Sequence, residues 1–319
     1  MATRLQRSVL AVPATSPRFF RRAAEGDADT IFLDLEDAVT PHRKTEARGL
    51  AIEAINSIDW RDKGLAVRVN EIGSAWGYRD IIDVVESCPR LDAVLVPKVA
   101  DAGDIRFVER LLEGIEASLG REKRVAIEAL IETPTGLSNV DAIAAASPRL
   151  ESLCFGVGDY SVAMQVPQTD YGTPDPAYGV LGSAAGDERP YHWNDQWHYP
   201  LARIGNACRA NGLRPIDGPF TNFSDAEGYR ACARRARALG FEGKWAIHPD
   251  QIEHANHVFS PSNAEIAWAR RIEDAMGEAL AGGAGAVQLD GKMIDLAHIK
   301  QARSLLHKTQ SIERRRAAS

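Results

Sequence analysis

Eight short runs rich in β-branched and aliphatic residues recur along this chain, and a helical stretch follows each one. They read SVLAVP (8–13), TIFLDLE (30–36), LAVRVN (65–70), DAVLVPKV (92–99), RVAIEALIET (124–133), SLCFGVGD (152–159), LRPIDGPF (213–220) and KWAIHP (244–249). The intervening stretches, such as RDIIDVVESC and DIRFVERLLEGIEASL, repeat their apolar residues at helical spacing. Strands alternating with helices are joined by right-handed crossovers into a parallel sheet. Eight such units predict an α/β fold closed into a (β/α)8 TIM barrel over residues 1–258.

Two segments depart from a plain barrel. Residues 164–200, after the sixth strand, form a long insertion rich in Pro, Gly and aromatics. A loop of that length is functional or disordered, and Tyr191, Trp193, Trp197 and Tyr199 argue for an ordered flap over the barrel mouth. Residues 259–319 read as a helix, a flexible AGGAGA joint, a hairpin around Asp290-Gly291 and a final helix. This appendage looks too small to carry a core and is expected to pack on its own barrel or on a neighbouring subunit.

The composition excludes several classes. Thirty-eight basic and 44 acidic residues give a net charge of −6, so no nucleic-acid-binding surface is implied. The start has no signal-peptide core, and no run approaches the ~20 apolar residues of a membrane span. Cys88, Cys154, Cys208 and Cys232 are scattered without a C-x-x-C pair, as reduced cytosolic thiols are, which points to a cytoplasmic protein.

The stretch IFLDLEDAV (31–39) poses the central problem. Ile31, Phe32, Leu33 and Leu35 suit a buried strand, whereas Asp34, Glu36 and Asp37 are costly to desolvate without partners. In parallel barrels, catalytic groups come from strand C-terminal ends, and polar residues recur there: Arg68 and Asn70, Lys98, Glu132, Asp159, Asp217 and His248. Glu128, Leu130 and Glu132 share parity and point to one side of the sheet. Glu132 and Asp159, on neighbouring strand ends with Gly156 and Gly158 leaving room, form a candidate Mg2+ pair, since Mg2+ takes one or two carboxylates and fills its octahedron with water and ligand oxygens. Either acid alone is better read as a helix N-cap, whereas two at neighbouring strand ends, facing Arg68, favour metal. Arg68 is a permanently charged donor suited to an oxygen that becomes negative during reaction, or a partner for Glu36 or Asp37. Lys98 as a Schiff-base nucleophile ranks below the metal reading, because surrounding carboxylates keep an amine charged. His192 and His198 lack metal spacing.

Taken in order, FLDLEDAV, VRVN, VPKV, IET..G, FGVGDY, IDGPF, FEGKWAIHP and GKMID resemble the CitE-like branch of the HpcH/HpaI aldolase superfamily, nearest its malyl-CoA lyases, over nearly the whole chain. The resemblance implies Mg2+-dependent (or Mn2+-dependent) reversible cleavage of malyl-CoA or β-methylmalyl-CoA to glyoxylate and acetyl-CoA or propionyl-CoA. It implies that Glu132 and Asp159 hold the metal, that Arg68 binds glyoxylate and enolate oxygens, and that Gly158 lies against the substrate carboxylate. Ile247 and His248 then line the CoA side, and Arg22 is a basic CoA contact. Asp295 matches an acid delivered from a neighbouring subunit, which implies a homotrimer or homohexamer, although its place before the last helix equally suits an N-cap. Glu36 and Asp37 would orient Arg68 and the metal's water shell. Where many relatives have a PGS turn this chain has PATSP, so Ala14 and Ser16 stand near the expected CoA path. Rival expectations are a citrate lyase β-subunit-like or citramalyl-CoA lyase, a malyl-CoA thioesterase, and a non-catalytic barrel that binds a CoA ester.

Overall fold

The computed structural model describes residues 4–167, 170–183 and 189–318; residues 168–169 and 184–188 of the insertion, and the side chain of Trp193, lie outside the described residues. The chain divides into two compact units, Met1–His257 and Val258–Ser319.

The first unit is a closed eight-stranded parallel barrel. Its strands are β1 (Ser8–Pro13), β2 (Thr30–Asp34), β3 (Gly64–Arg68), β4 (Ala93–Val96), β5 (Ala126–Ile131), β6 (Leu150–Phe155), β9 (Arg214–Asp217) and β10 (Gly243–Ala246), with β7 (Gly179–Leu181) and β8 (Tyr191–Trp193) forming an antiparallel hairpin inside the insertion. The order around the barrel follows the chain, and β10 closes on β1. All eight runs read from the sequence are strands, but several end sooner than their apolar pattern. GVGD is not strand: Val157–Ala163 is already helical, and β2 stops at Asp34.

Alternation fixes what fills the barrel. Val9, Phe32, Ala66, Ala93, Leu95, Ala126, Leu130, Cys154, Ile216 and Trp245 point inward and pack as one buried cluster. The parity that turns Phe32 inward also turns Asp34 inward, and the parity of Ala66 carries Arg68 with it. Phe32 and Trp245 meet with ring centroids 4.6 Å apart and form the floor of the barrel mouth.

The insertion is anchored to the barrel where it is described. Thr221 N donates to the Tyr171 carbonyl at 3.1 Å, and Cys232 Sγ to the Gly172 carbonyl at 3.1 Å. Trp197 is buried, with its ring 6.1 Å from that of Phe155. Tyr191, His192, His198 and Tyr199 are exposed, so Trp197 does the anchoring among these residues.

The second unit corrects the expectation that it lacks a core. Helix Asn263–Ala281, the hairpin of β11 (Ala286–Leu289) and β12 (Lys292–Asp295), and helix Leu296–Ala318 enclose Ala269, Ile272, Met276, Ile294, Ile299 and Ala302. Ser262 and Glu265 cap the first helix reciprocally. The turn has positive φ at both Asp290 (49°) and Gly291 (74°), as a two-residue type I′ hairpin requires. Across both units, among the described residues, no helix is long and apolar enough to cross a membrane. The four cysteines are buried and unpaired.

Candidate active site at the barrel mouth

A cavity of about 550 Å³ opens at the C-terminal ends of the strands. Asp34, Asp37, Arg68, Glu132, Gly158 and Asp159 line it above the aromatic floor, with Tyr171 and Ile247 at its walls.

Arg68 is its centre. Register places Asp34 directly opposite Arg68 on the adjacent strand. The carboxylate accepts from Arg68 Nε and Nη2, both at 2.7 Å, a bidentate pair only 3% and 7% exposed. Asp34 also accepts from the backbone N–H groups of Glu36 (2.9 Å) and Ala38 (3.3 Å). Burial pushes its pKa up, but the Arg68 charge and these hydrogen bonds outweigh burial and hold the carboxyl below the usual range. Glu36 Oε2 and Asp37 Oδ2 approach Arg68 Nη1 at 2.9 and 3.1 Å. The guanidinium is thereby held charged, its pKa raised despite burial. Its carbon lies 5.9 and 5.8 Å from the Phe32 and Trp245 ring centroids, within cation–π range.

The question raised by three acids at the end of an apolar strand has a double answer. Something cationic does meet them, and the strand ends at the first. Asp34 is the principal partner of Arg68, a role the sequence reading gave to Glu36 and Asp37. Two opposite charges of inward parity at the ends of adjacent strands were a signal available for it.

Lys98 forms a second hub. Its ammonium pairs with Glu36 and lies 3.8 Å from Asp37 Oδ1 and 4.0 Å from Asp159 Oδ1. These carboxylates raise its pKa against the pull of burial, so the amine is charged and unsuited to Schiff-base chemistry. Glu36, 5% exposed, has its pKa raised to about 7, chiefly by burial and further by Asp37, against the opposing pull of Arg68 and Lys98.

Glu132 is 1% exposed, and its Oε1 accepts from Lys98 N at 2.7 Å. Burial, then the negative charges of Glu36 and Asp159, push its pKa well above the carboxylate range. A buried acid destabilised by neighbouring acids is the environment a divalent cation relieves. A Cβ at position 156 would collide with Glu132 Cβ and Oε2, so glycine is required there for Glu132 to take its place. Asp159 stands in the first turn of helix Val157–Ala163, its side chain 38% exposed toward the mouth. Among the described residues no group of three His, Cys, Asp or Glu side chains forms a metal cluster. Two carboxylates with room for water and substrate oxygens fit Mg2+ better than a closed zinc site.

The structure separates the other predicted residues. Gly158 and Ile247 line the cavity; His248 and Arg22 do not. His248 stacks on Phe223 at 4.7 Å, and Arg22 is exposed on helix Pro17–Glu25. Asp217 is taken by Lys244 (2.7 Å), Asn70 by Asp80 (2.6 Å), and Glu128 by Gln6, so these three belong to the scaffold. Asp295 caps its helix through Ala297 N at 3.0 Å and meets His298 Nδ1 at 2.7 Å.

A parallel barrel whose mouth sets a buried guanidinium beside two metal-competent carboxylates is an enzyme scaffold for chemistry at carbonyl oxygens. The chain belongs to the HpcH/HpaI aldolase/citrate lyase family, whose model matches residues 7–249. It is 43% identical over 308 residues to the L-malyl-CoA/beta-methylmalyl-CoA lyase of Rhodobacter capsulatus, covering 96% of this chain and 95% of that one. It is 36% identical over 312 residues to a (3S)-malyl-CoA thioesterase of Cereibacter sphaeroides, covering 98% and 97%. Among solved structures, the CitE protein of Mycobacterium tuberculosis in complex with magnesium, acetoacetate and coenzyme A superposes with a TM-score of 0.70 at 26% identity, over 94% of this chain and 97% of that one.

Proposed function

We infer that this protein is a Mg2+-dependent carbon–carbon lyase that reversibly cleaves malyl-CoA or β-methylmalyl-CoA to glyoxylate and acetyl-CoA or propionyl-CoA. The observation that carries this reading is the braced Arg68 beside Glu132 and Asp159 in one cavity, in a chain 43% identical to such a lyase. Glu132 and Asp159 would hold the ion, with Mn2+ able to take the same place. Bound there, the ion supplies a Lewis acid for the carboxylate and carbonyl oxygens of glyoxylate.

The chain's own groups do the rest. Asp34 takes Arg68 Nε and one N–H of Nη2, and Asp37 takes one N–H of Nη1. A guanidinium has five N–H donors; with Glu36 Oε2 also 2.9 Å from Nη1, the second N–H of Nη2 is the one left for a substrate oxygen, beside the Nη1 donors shared by Asp37 and Glu36. The brace sets these donors in place before charge develops on an enolate oxygen, where preorganised donors count most. The Gly158 backbone borders the space for the substrate carboxylate, and Ile247 lines the route of the acyl-CoA. Arg22, with Arg18 and Arg21 on the same helix, offers positive charge to CoA phosphates. Asp295 of a neighbouring copy would protonate the enolate carbon, which makes the working enzyme a homotrimer or homohexamer.

Purified protein given Mg2+, glyoxylate and acetyl-CoA or propionyl-CoA should form the hydroxyacyl-CoA, detected by mass, and chelation should abolish this. Release of free CoA thiol from malyl-CoA without glyoxylate would overturn the lyase reading in favour of a thioesterase, the activity named for the relative at 36% identity. Product from pyruvate in preference to glyoxylate would indicate a citramalyl-CoA lyase.

A further inference from the structure

Lys98 stands two residues beyond β4 with φ of 51°, a left-handed conformation that residues with a Cβ seldom adopt. Gly or Asn would enter that region more easily, so a lysine there points to a task for its side chain. The residue reaches the site twice. Its backbone N–H donates to Glu132 Oε1 at 2.7 Å, while its ammonium sits between Glu36, Asp37 and Asp159.

Formal charge around the mouth fits this arrangement. Five carboxylates converge there: Asp34, Glu36, Asp37, Glu132 and Asp159. Three cations face them: Arg68, Lys98 and Lys44, whose Nζ donates to the Leu35 and Glu36 carbonyls at 2.9 and 2.8 Å. With all five ionised, as a bound cation would make them, five against three leaves an excess of two negative charges, which one divalent ion neutralises. Without the Lys98 ammonium the excess is three, and Glu36 Oε1 and Asp37 Oδ1, the oxygens that face Lys98 while Oε2 and Oδ2 stay on Arg68, are released as ligands for a hard cation.

We propose that Lys98 is a positioning residue that stands in for a second cation: its ammonium keeps Glu36 and Asp37 from ligating metal, and its backbone fixes one oxygen of Glu132, so that the mouth takes one divalent ion and not two. The proposal rests on Glu132 and Asp159 being the metal pair. It does not depend on which acyl-CoA is cleaved.

Mn2+ is the probe, titrated into the full-length protein while the free aquo ion is followed by electron paramagnetic resonance, a readout independent of turnover. Wild type should bind one ion per chain. Lys98→Met should bind two and lose turnover on the order of a hundredfold, as misplaced catalytic groups do. Lys98→Arg should bind one and keep most activity. The double variant Lys98→Met/Glu36→Gln should return to one ion, and Glu36→Gln alone should bind one, because Glu36 is not a ligand. Two ions in wild type overturn the proposal, as does a Lys98→Met protein with native circular dichroism that binds one ion or none. Should Lys98→Met not fold, Glu36→Gln decides: loss of the ion there makes Glu36 a ligand and overturns the proposal. Wild type that binds no Mn2+ would refute the metal pair, whereas wild type that binds one ion yet cleaves no malyl-CoA would refute only the proposed reaction.

Discussion

Asp34→Asn removes a charge from the best-braced contact in the barrel mouth while keeping the shape of the side chain. Asn has a single acceptor oxygen, so it cannot serve Arg68 Nε, Arg68 Nη2 and the N–H groups of Glu36 and Ala38 as the carboxylate does. Arg68, 7% exposed, would keep only Glu36 and Asp37 against Nη1. Removing one member of a buried ion pair costs about 3–5 kcal/mol. The remaining contacts place the expected loss at the lower end, about 3 kcal/mol, or ~6 °C in Tm at roughly 2 °C per kcal/mol for a chain of this length. The pH dependence has a definite sign. The folded carboxyl is held below its ordinary value, so its stabilisation is present above the unfolded pKa of about 4 and is lost as pH falls through the folded one. The gap between wild type and variant should therefore be constant from about pH 6 to 8 and close in acid below about pH 4. Urea unfolding at a series of pH values measures it, and kcat/KM should fall on the order of a hundredfold as Arg68 loses its brace. A variant within ~0.5 kcal/mol of wild type at pH 7, or a gap that widens in acid, would refute the reasoning.

Gly156→Ala should weaken Mn2+ binding and reduce activity, because a methyl there meets Glu132 Cβ and Oε2; overpacking of this kind costs roughly 1–3 kcal/mol, and calorimetry reads both effects. Glu36 has a raised folded pKa of about 7, so the native state binds its proton more tightly than the unfolded chain does, and stability falls as pH rises between the unfolded value and about 7. Glu36→Gln should flatten that slope in metal-free protein, and an unchanged pH profile would contradict it. All four thiols are buried, with Cys88 and Cys208 pushed up to about 12 by burial. Native protein should therefore react with a thiol reagent only as fast as it opens, and a fast equivalent at neutral pH would contradict the burial.

The sequence by itself determined the strands, because alternation and length are local properties: all eight runs are barrel strands, and the acids at 132 and 159 end up lining one cavity. It also determined the turn at Asp290-Gly291, where the backbone conformation selects the residues. The tertiary structure decided which charge faces which. Asp34 is the partner of Arg68 because the β2–β3 register sets them level, and Glu36 is met by Lys98 from 62 residues away. The same closure assigned Asp217, Asn70 and Glu128, polar in the same pattern, to buried scaffold pairs rather than to the site. Strand periodicity is written every second residue, whereas the energy of a buried charge depends on the one atom that approaches it across the fold, and only closure of the barrel sets that distance.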